Sequence, residues 1–339
     1  MALARYLLLS GGYLRPAWML RDIYRVMTTQ LDPIVLFFVL GLAAGVLKAD
    51  LRLPQPIYEF VSTLLLLSIG MKGGIELARQ PALAIAGELV IVVAMGCLLT
   101  LLAFAILHWV GRLGRIDAAA VAAHYGSVSV GTFAVGVAFL GRAAIPYEPQ
   151  MPLFLVMLEM PAIIIGILIA RGLHAATPWG EVLREVVLGR SVMLLLGGLA
   201  IGALAGSEGL EPVKPLFFDL FKGVLAIFLL EMGLIASDHL GGFRRHGLFL
   251  VLFGVGAPLL FAAIGIGFAQ LIGLSPGGAI LLATLAGSAS YIAAPAAIRS
   301  AVPEANPALS LTASLAVTFP FNLLLGIALY QQAVEYFYG

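Results

Sequence analysis

Ser127, Ser129 and Thr132 stand among glycines in the stretch Gly126-Ser127-Val128-Ser129-Val130-Gly131-Thr132, inside an apolar segment running from Ala118 to Leu140. About 160 residues later the pattern returns as Gly287-Ser288-Ala289-Ser290-Tyr291, within the apolar segment Gly277 to Arg299. Small hydroxyl and glycine residues weaken a helix and free its backbone groups. At membrane depth such backbone is tolerated only where protein buries it or it lines a wet cavity. A helix broken there offers free N–H groups and a positive dipole end to an anion, and serine hydroxyls can donate to the same anion. Carbonyls at the opposing half-helix ends can hold a hard cation such as sodium. Gly126, Ser127, Ser129, Thr132, Gly287, Ser288, Ser290 and Tyr291 therefore form the candidate anion-binding set. Ser129, Glu159, Ser290 and Thr318 form the candidate sodium set. For one such stretch alone, close helix packing through small residues explains the composition as well; the recurrence of the pair favours a site.

The other polar residues divide by depth. Glu159 lies within an apolar run beside Pro161, and an ionisable group at that depth is a functional candidate, as a sodium ligand or a proton carrier. Its counterpart in the second stretch is Thr318, with Asn322 one turn on. Tyr291 can donate its hydroxyl to an anion or close a pocket by size, and as a packing residue it is equally well explained. Pro295 is expected to kink the helix it occupies. His124 reads as a hydrogen-bonded structural histidine, with a proton-linked role as the alternative. Lys72, Glu76 and Asp238 read as solvated or snorkelling side chains, and Glu231 as a weaker buried candidate. Catalytic signatures are absent: no His-Glu-x-x-His, no Walker loop and no Gly-x-Ser-x-Gly. Cys97 is the single cysteine, which excludes disulfide frameworks and thiolate metal sites.

The elements that must position these residues are membrane helices. Only 11% of the chain is charged and 61% is hydrophobic, and the apolar runs recur at spanning length. Ten spans are expected, at Pro33–Leu47, Pro56–Met71, Leu83–Trp109, Ala118–Leu140, Met151–Ala170, Ser191–Leu204, Pro215–Ile235, Leu248–Ile272, Gly277–Ile298 and Ala308–Tyr336. An internal repeat orders them. Gly41-Leu42-Ala43-Ala44-Gly45-Val46-Leu47 matches Gly198-Leu199-Ala200-Ile201-Gly202-Ala203-Leu204. Gly70 and Leu77 align with Gly233 and Leu240, and Glu159-Met160-Pro161 with Thr318-Phe319-Pro320. Five spans per unit is an odd number, so the second unit must enter from the opposite side. The expected fold is all-α and polytopic: ten transmembrane helices in two inverted five-helix repeats, with the fourth and ninth helices broken.

Residues 1–31 read as an interfacial or disordered extension, 32–172 as the first repeat, 173–190 as a cytoplasmic loop and 191–339 as the second repeat. Basic residues Lys48, Arg52, Arg112, Arg115, Arg171, Arg184, Arg190, Arg244, Arg245 and Arg299 gather in one set of loops. That set is assigned to the cytoplasm, with both termini extracytoplasmic.

The chain resembles the sodium-dependent bicarbonate transporters first described in cyanobacteria. The resemblance is carried by Gly287-Ser288-Ala289-Ser290-Tyr291-Ile292-Ala293-Ala294-Pro295 leading into Arg299, Pro303 and Ala305-Asn306-Pro307. Thr318-Phe319-Pro320, Ile69-Gly70-Met71-Lys72-Gly73-Gly74, the Gly126–Thr132 stretch and Glu159 ahead of Pro161-Ala162 extend it. It implies a core domain carrying the site, a gate domain supporting homo-oligomers (trimers), and an elevator-like movement of core against gate. It also implies sodium-coupled uptake of a small monoanion across the plasma membrane and, in some relatives, a small cytoplasmic regulatory protein. The chain departs from the family pattern at Tyr291, where the pattern has aspartate, and at Val130 and Gly131, where it has glycine and serine. Bicarbonate is the first substrate expected. A proton- or sodium-coupled transporter of another small organic anion and a gated anion channel are the alternatives. Membrane lipid is the expected surrounding and nucleic acid is not an expected partner.

Overall fold

Long runs of Leu, Ile, Val, Ala and Phe with few charges satisfy their backbone most readily as helices. The computed structural model is all-helical across the residues it describes, 33–80, 82–172 and 179–339. The extension read at 1–31 and the first part of the loop read at 173–190 lie outside the described residues.

Among the described residues thirteen longer helical segments follow, besides short turns at Glu211–Val213, Pro215–Asp219 and Leu240–Gly242. They are α1 (Pro33–Val46), α2 (Gln55–Leu77), α3 (Ala82–Ala105, continued by a π turn at Ile106–Val110), α4 (Arg115–Gly126), α5 (Val130–Ala143) and α6 (Met151–Arg171). Then come α7 (Trp179–Val187), α8 (Arg190–Gly209), α9 (Phe221–His239), α10 (Phe243–Leu271), α11 (Pro276–Ala286), α12 (Ala293–Ala301) and α13 (Pro307–Tyr338), the last containing π-helical stretches at Thr312–Thr318 and Asn322–Gly326. Among the described residues seven helices are long and apolar enough to cross a membrane, taking α4 and α5 together as Arg115–Ala143. α1 and α11 are apolar but shorter. α9 has 19 residues but carries Lys222, Glu231 and Asp238. α7 is an amphipathic helix within what the sequence suggested was a plain loop.

Glycines set which helices cross closely. α1 packs on α9, where a methyl group on Gly41 would overlap the Leu230 carbonyl and one on Gly233 would overlap the Phe38 carbonyl. α2 packs on α8 in the same manner: a methyl on Gly70 would lie 2.6 Å from Leu195 O, and one on Gly202 would overlap Met71 O. Both crossings are small-residue contacts that let backbones approach. Elsewhere α4 is held between α3 and α6, and α11 between α10 and α13. Burial follows this arrangement: 83% of the most apolar window of Arg115–Ala143 is buried, against 28% for Arg190–Gly209.

Two carboxylates tie the helix ends across the chain. Glu148 Oε1 accepts from Ser275 N at 2.5 Å and Oε2 from Ser275 Oγ at 3.1 Å, just ahead of α11. Asp117 Oδ1 in α4 accepts from Asn306 N at 2.8 Å, just ahead of α13. Glu231 in α9, a buried candidate from the sequence, accepts from Leu53 N at 2.9 Å, while Asp238 pairs with Arg52. These two contacts fasten the turn after α1 onto α9.

Candidate functional site

The helix that would have run from α4 to α5 stops at Gly126. Ser127 has φ −83° and ψ 178°, and Ser129 has φ −108° and ψ 114°, so the chain is extended through the expected weak point. Ser129 then caps α5: its Oγ accepts from Thr132 N at 3.0 Å and from Thr132 Oγ1 at 2.8 Å. In the second stretch α11 ends at Ala286 and α12 starts at Ala293. Ser290 Oγ accepts from Ala294 N at 3.2 Å on entry to α12. Pro295 does not kink a continuous helix. It occupies the first turn of α12, where the missing N–H leaves no helical bond unmade.

The two breaks are joined to each other. Ser129 N donates to Ser288 Oγ at 2.9 Å, and Ser290 N donates to His124 O at 2.8 Å. Each amide is thereby withdrawn from the carbonyl four residues back that a continuous helix would have given it, so Tyr125 O and Ala286 O lose their helical donors. Ser288 Oγ in turn donates to Leu285 O at 2.8 Å, and Asn322 Nδ2 donates to Gly287 O at 2.8 Å. Ser127, Ser129, Thr132, Ser288 and Ser290 are each at most 3% exposed. Gly126 sits against Thr100 of α3, and a methyl on Gly287 would lie 2.7 Å from the Tyr330 hydroxyl. The proposed anion set is therefore one contiguous, buried crossing.

The sodium set divides. Ser129 and Ser290 lie in the crossing. Glu159 lies beside it: Ser127 Oγ approaches Glu159 O at 3.4 Å, and the buried carboxylate oxygen Oε2 has no hydrogen-bond partner. An unpartnered, buried carboxylate oxygen suits a hard cation held through oxygen. Thr318 is engaged elsewhere, donating to Gly254 O at 2.7 Å and meeting the Tyr125 hydroxyl at 2.7 Å. Among the described residues no group of three or more His, Cys, Asp or Glu gathers in a metal-holding cluster.

Tyr291 occupies the second break. Its ring packs edge-on against Phe319 at 5.1 Å, and Phe319 against Phe38 of α1 at 5.5 Å. Its hydroxyl lies over Gly131 and toward Ser129 but makes no well-formed hydrogen bond. A methyl on Gly131 would overlap that hydroxyl and come 2.9 Å from the Phe228 ring. Phe228 stacks on Tyr58 at 5.9 Å. This aromatic layer between the crossing and α1, α2 and α9 has no periodic signature that the sequence could expose.

A family model described as the Na+-dependent bicarbonate transporter superfamily matches residues 33–335. The chain belongs to that superfamily. Sodium-dependent bicarbonate transport is thus the family's activity, and the chain is a multi-pass membrane transporter rather than an enzyme. No curated protein matches the chain. The family match spans both breaks, Glu159 and the whole of the aromatic layer of this bicarbonate-transporter relative.

Proposed function

We propose that the protein is a secondary transporter that takes up bicarbonate or a similar small anion together with sodium, by alternating access. The observation that carries this reading is the pair of stitched breaks: two interrupted helices whose amides and hydroxyls meet in one buried volume. Gly126, Ser127, Ser129, Thr132, Gly287, Ser288, Ser290 and Tyr291 would surround the anion, and Ser129, Ser290 and the Glu159 carboxylate would serve the sodium. Sodium here is cargo, and its gradient supplies the energy.

The mechanism calls for ten spans in two inverted units. On this reading α1, α9 and the α11–α12 pair would add three spans to the seven helices long and apolar enough to cross. Gly41 and Gly198 are repeat mates, as are Gly70 and Gly233, so the Gly41–Gly233 crossing and the Gly198–Gly70 crossing are one contact made twice. The Glu148–Ser275 and Asp117–Asn306 ties repeat in the same sense. On this reading α3–α6 and α10–α13 form the moving core, and α1, α2, α8 and α9 form the gate. The aromatic layer around Tyr291 and Phe228 would be the sliding surface. The basic loops put both termini outside the plasma membrane.

The test is radiolabelled bicarbonate uptake into proteoliposomes with and without an inward sodium gradient, competed by small anions. Accumulation above the external concentration only with the sodium gradient supports the reading, and equilibration without concentration would indicate a channel. Tyr291 in place of the family's aspartate favours a second reading, transport of another small organic anion. The competing panel would reveal it as a stronger inhibitor than bicarbonate.

A further inference from the structure

α7 lies between the ends of two spanning helices, α6 and α8. α6 ends at Arg171, whose guanidinium pairs with Glu304 at 3.0 Å. α8 starts at Arg190, which pairs with Glu59 at 2.7 Å and donates to Thr63 Oγ1 at 2.8 Å near the start of α2. These partly exposed ion pairs mark where the chain leaves the apolar layer on that side. α7 is pinned to that level at both ends. At its start Trp179 packs on a buried cluster of α4, α6 and α12 that includes Ile163, Ile167, Ala297 and Ile298. At its end Leu188 N donates to Arg184 O at 2.8 Å, closing the helix, and Met193 N donates to Gly189 O at 2.9 Å, opening α8. Leu188 and Gly189 alone separate Val187 from Arg190, so about 11 Å of chain at most joins α7 to the start of a span.

The faces of α7 differ. Trp179, Leu183 and Val187 follow one another at i, i+4 and i+8 and share one stripe of the helix, while Arg184 is turned about 100° from Leu183. The stripe starts against the cluster and runs out from under the protein: Leu183 is 45% exposed, Val187 43% and Leu188, just past the helix, 55%. An apolar stripe on a short helix of mixed apolar and charged sequence, held level with the ends of two spans, fits the boundary between lipid headgroups and acyl chains. Tryptophan at such a level is characteristic of that boundary. We infer that α7 is a membrane-surface helix, lying in the headgroup layer with Leu183, Val187 and Leu188 inserted toward the acyl chains and Arg184 held at the water side. Its partner is the bilayer itself. Because α7 also joins α6 and α12 to α8, its seat in the headgroups fixes that connection at one level in the membrane. The inference rests on the membrane-spanning character of the chain and is independent of what is transported.

The experiment places an environment-sensitive nitrobenzoxadiazole fluorophore on single cysteines of the whole chain, with Cys97→Ala as background. Leu183→Cys, Arg184→Cys and Val187→Cys are each reconstituted into phosphatidylcholine nanodiscs, which leave both membrane faces open to water. Quenching is measured with aqueous iodide and with lipids carrying a nitroxide high or low on the acyl chain. Labels at Leu183 and Val187 are expected to lose emission to the high nitroxide, to lose little to iodide, and to emit at shorter wavelength than the label at Arg184. The label at Arg184 is expected to be quenched by iodide. Iodide quenching at Leu183 and Val187 equal to that at Arg184, with none from lipid, would place the stripe in water. Protection from iodide and from both nitroxides would place it under a second copy or another protein. Either result overturns the inference, as does stronger quenching by the low nitroxide than by the high one. All three side chains are exposed, so a label displaces no packed neighbour. Val187→Cys repeats the reading of Leu183→Cys should one variant fold poorly.

Discussion

The Tyr291 hydroxyl occupies the place where a side chain on Gly131 would begin. These are two of the positions at which the chain departs from the pattern it resembles, with glycine for serine at one and tyrosine for aspartate at the other. The structure makes them a single exchange across the crossing: the large side chain on the second break requires the missing one on the first. Gly131 lies one residue from the start of α5, and Tyr291 bridges from there to Phe319.

Gly131→Ala should therefore lower the melting temperature and uptake on its own, by overlap with Tyr291 and Phe228. Combined with Tyr291→Phe, which removes the overlapping oxygen, part of the loss should return, with a coupling of about 1–2 kcal/mol in a double-mutant cycle. Additive losses would mean that the two residues do not share the space.

Ser129→Ala and Ser290→Ala should each abolish uptake while the protein remains monodisperse in detergent. Loss of a capping hydroxyl costs about 1 kcal/mol, too little to unfold a protein with so extensive a core. Uptake kinetics and size-exclusion profiles measured on the same preparations separate a lost site from a lost fold.

Glu159→Gln should reduce the sodium dependence of uptake more than the maximal rate, because it replaces the unpartnered buried carboxyl by an amide of the same shape. A sodium titration of initial rates checks this. An unaltered titration would assign Glu159 a structural role.

Glu148→Ala should destabilise the protein by about 1–3 kcal/mol, since it leaves the amide and hydroxyl of Ser275 without their acceptor at the entry to α11. Thermal melting in detergent reads the effect. Glu76→Ala, at an exposed pair with Arg79, should change the melt by no more than about 0.5 kcal/mol.

The breaks were legible because Gly126–Thr132 and Gly287–Tyr291 combine small residues with hydroxyls inside apolar segments, which is a local signal. Gly41, Gly70, Gly198 and Gly233 were legible as marks of the repeat; the close helix crossings they make were not, because sequence alone does not say which helices meet. The reach of Glu148 to Ser275 and of Asp117 to Asn306 was not, because each joins loops far apart in the chain and follows no period. Pro295 shows the limit of a residue-level rule. It was expected to bend a helix, but the helix had already ended, and the proline opens the next one. The amphipathic α7 stood in a stretch too short and mixed to separate from loop.

The central claim is that the joined breaks move an anion using sodium. Its most direct measurement is bicarbonate accumulation in proteoliposomes holding wild-type protein or the Ser290→Ala variant, at matched protein content, with an imposed inward sodium gradient. The account predicts concentrative uptake by wild type that collapses when the gradient is removed, and none by the variant. Concentrative uptake that ignores sodium, or equal uptake by the two proteins, would contradict it.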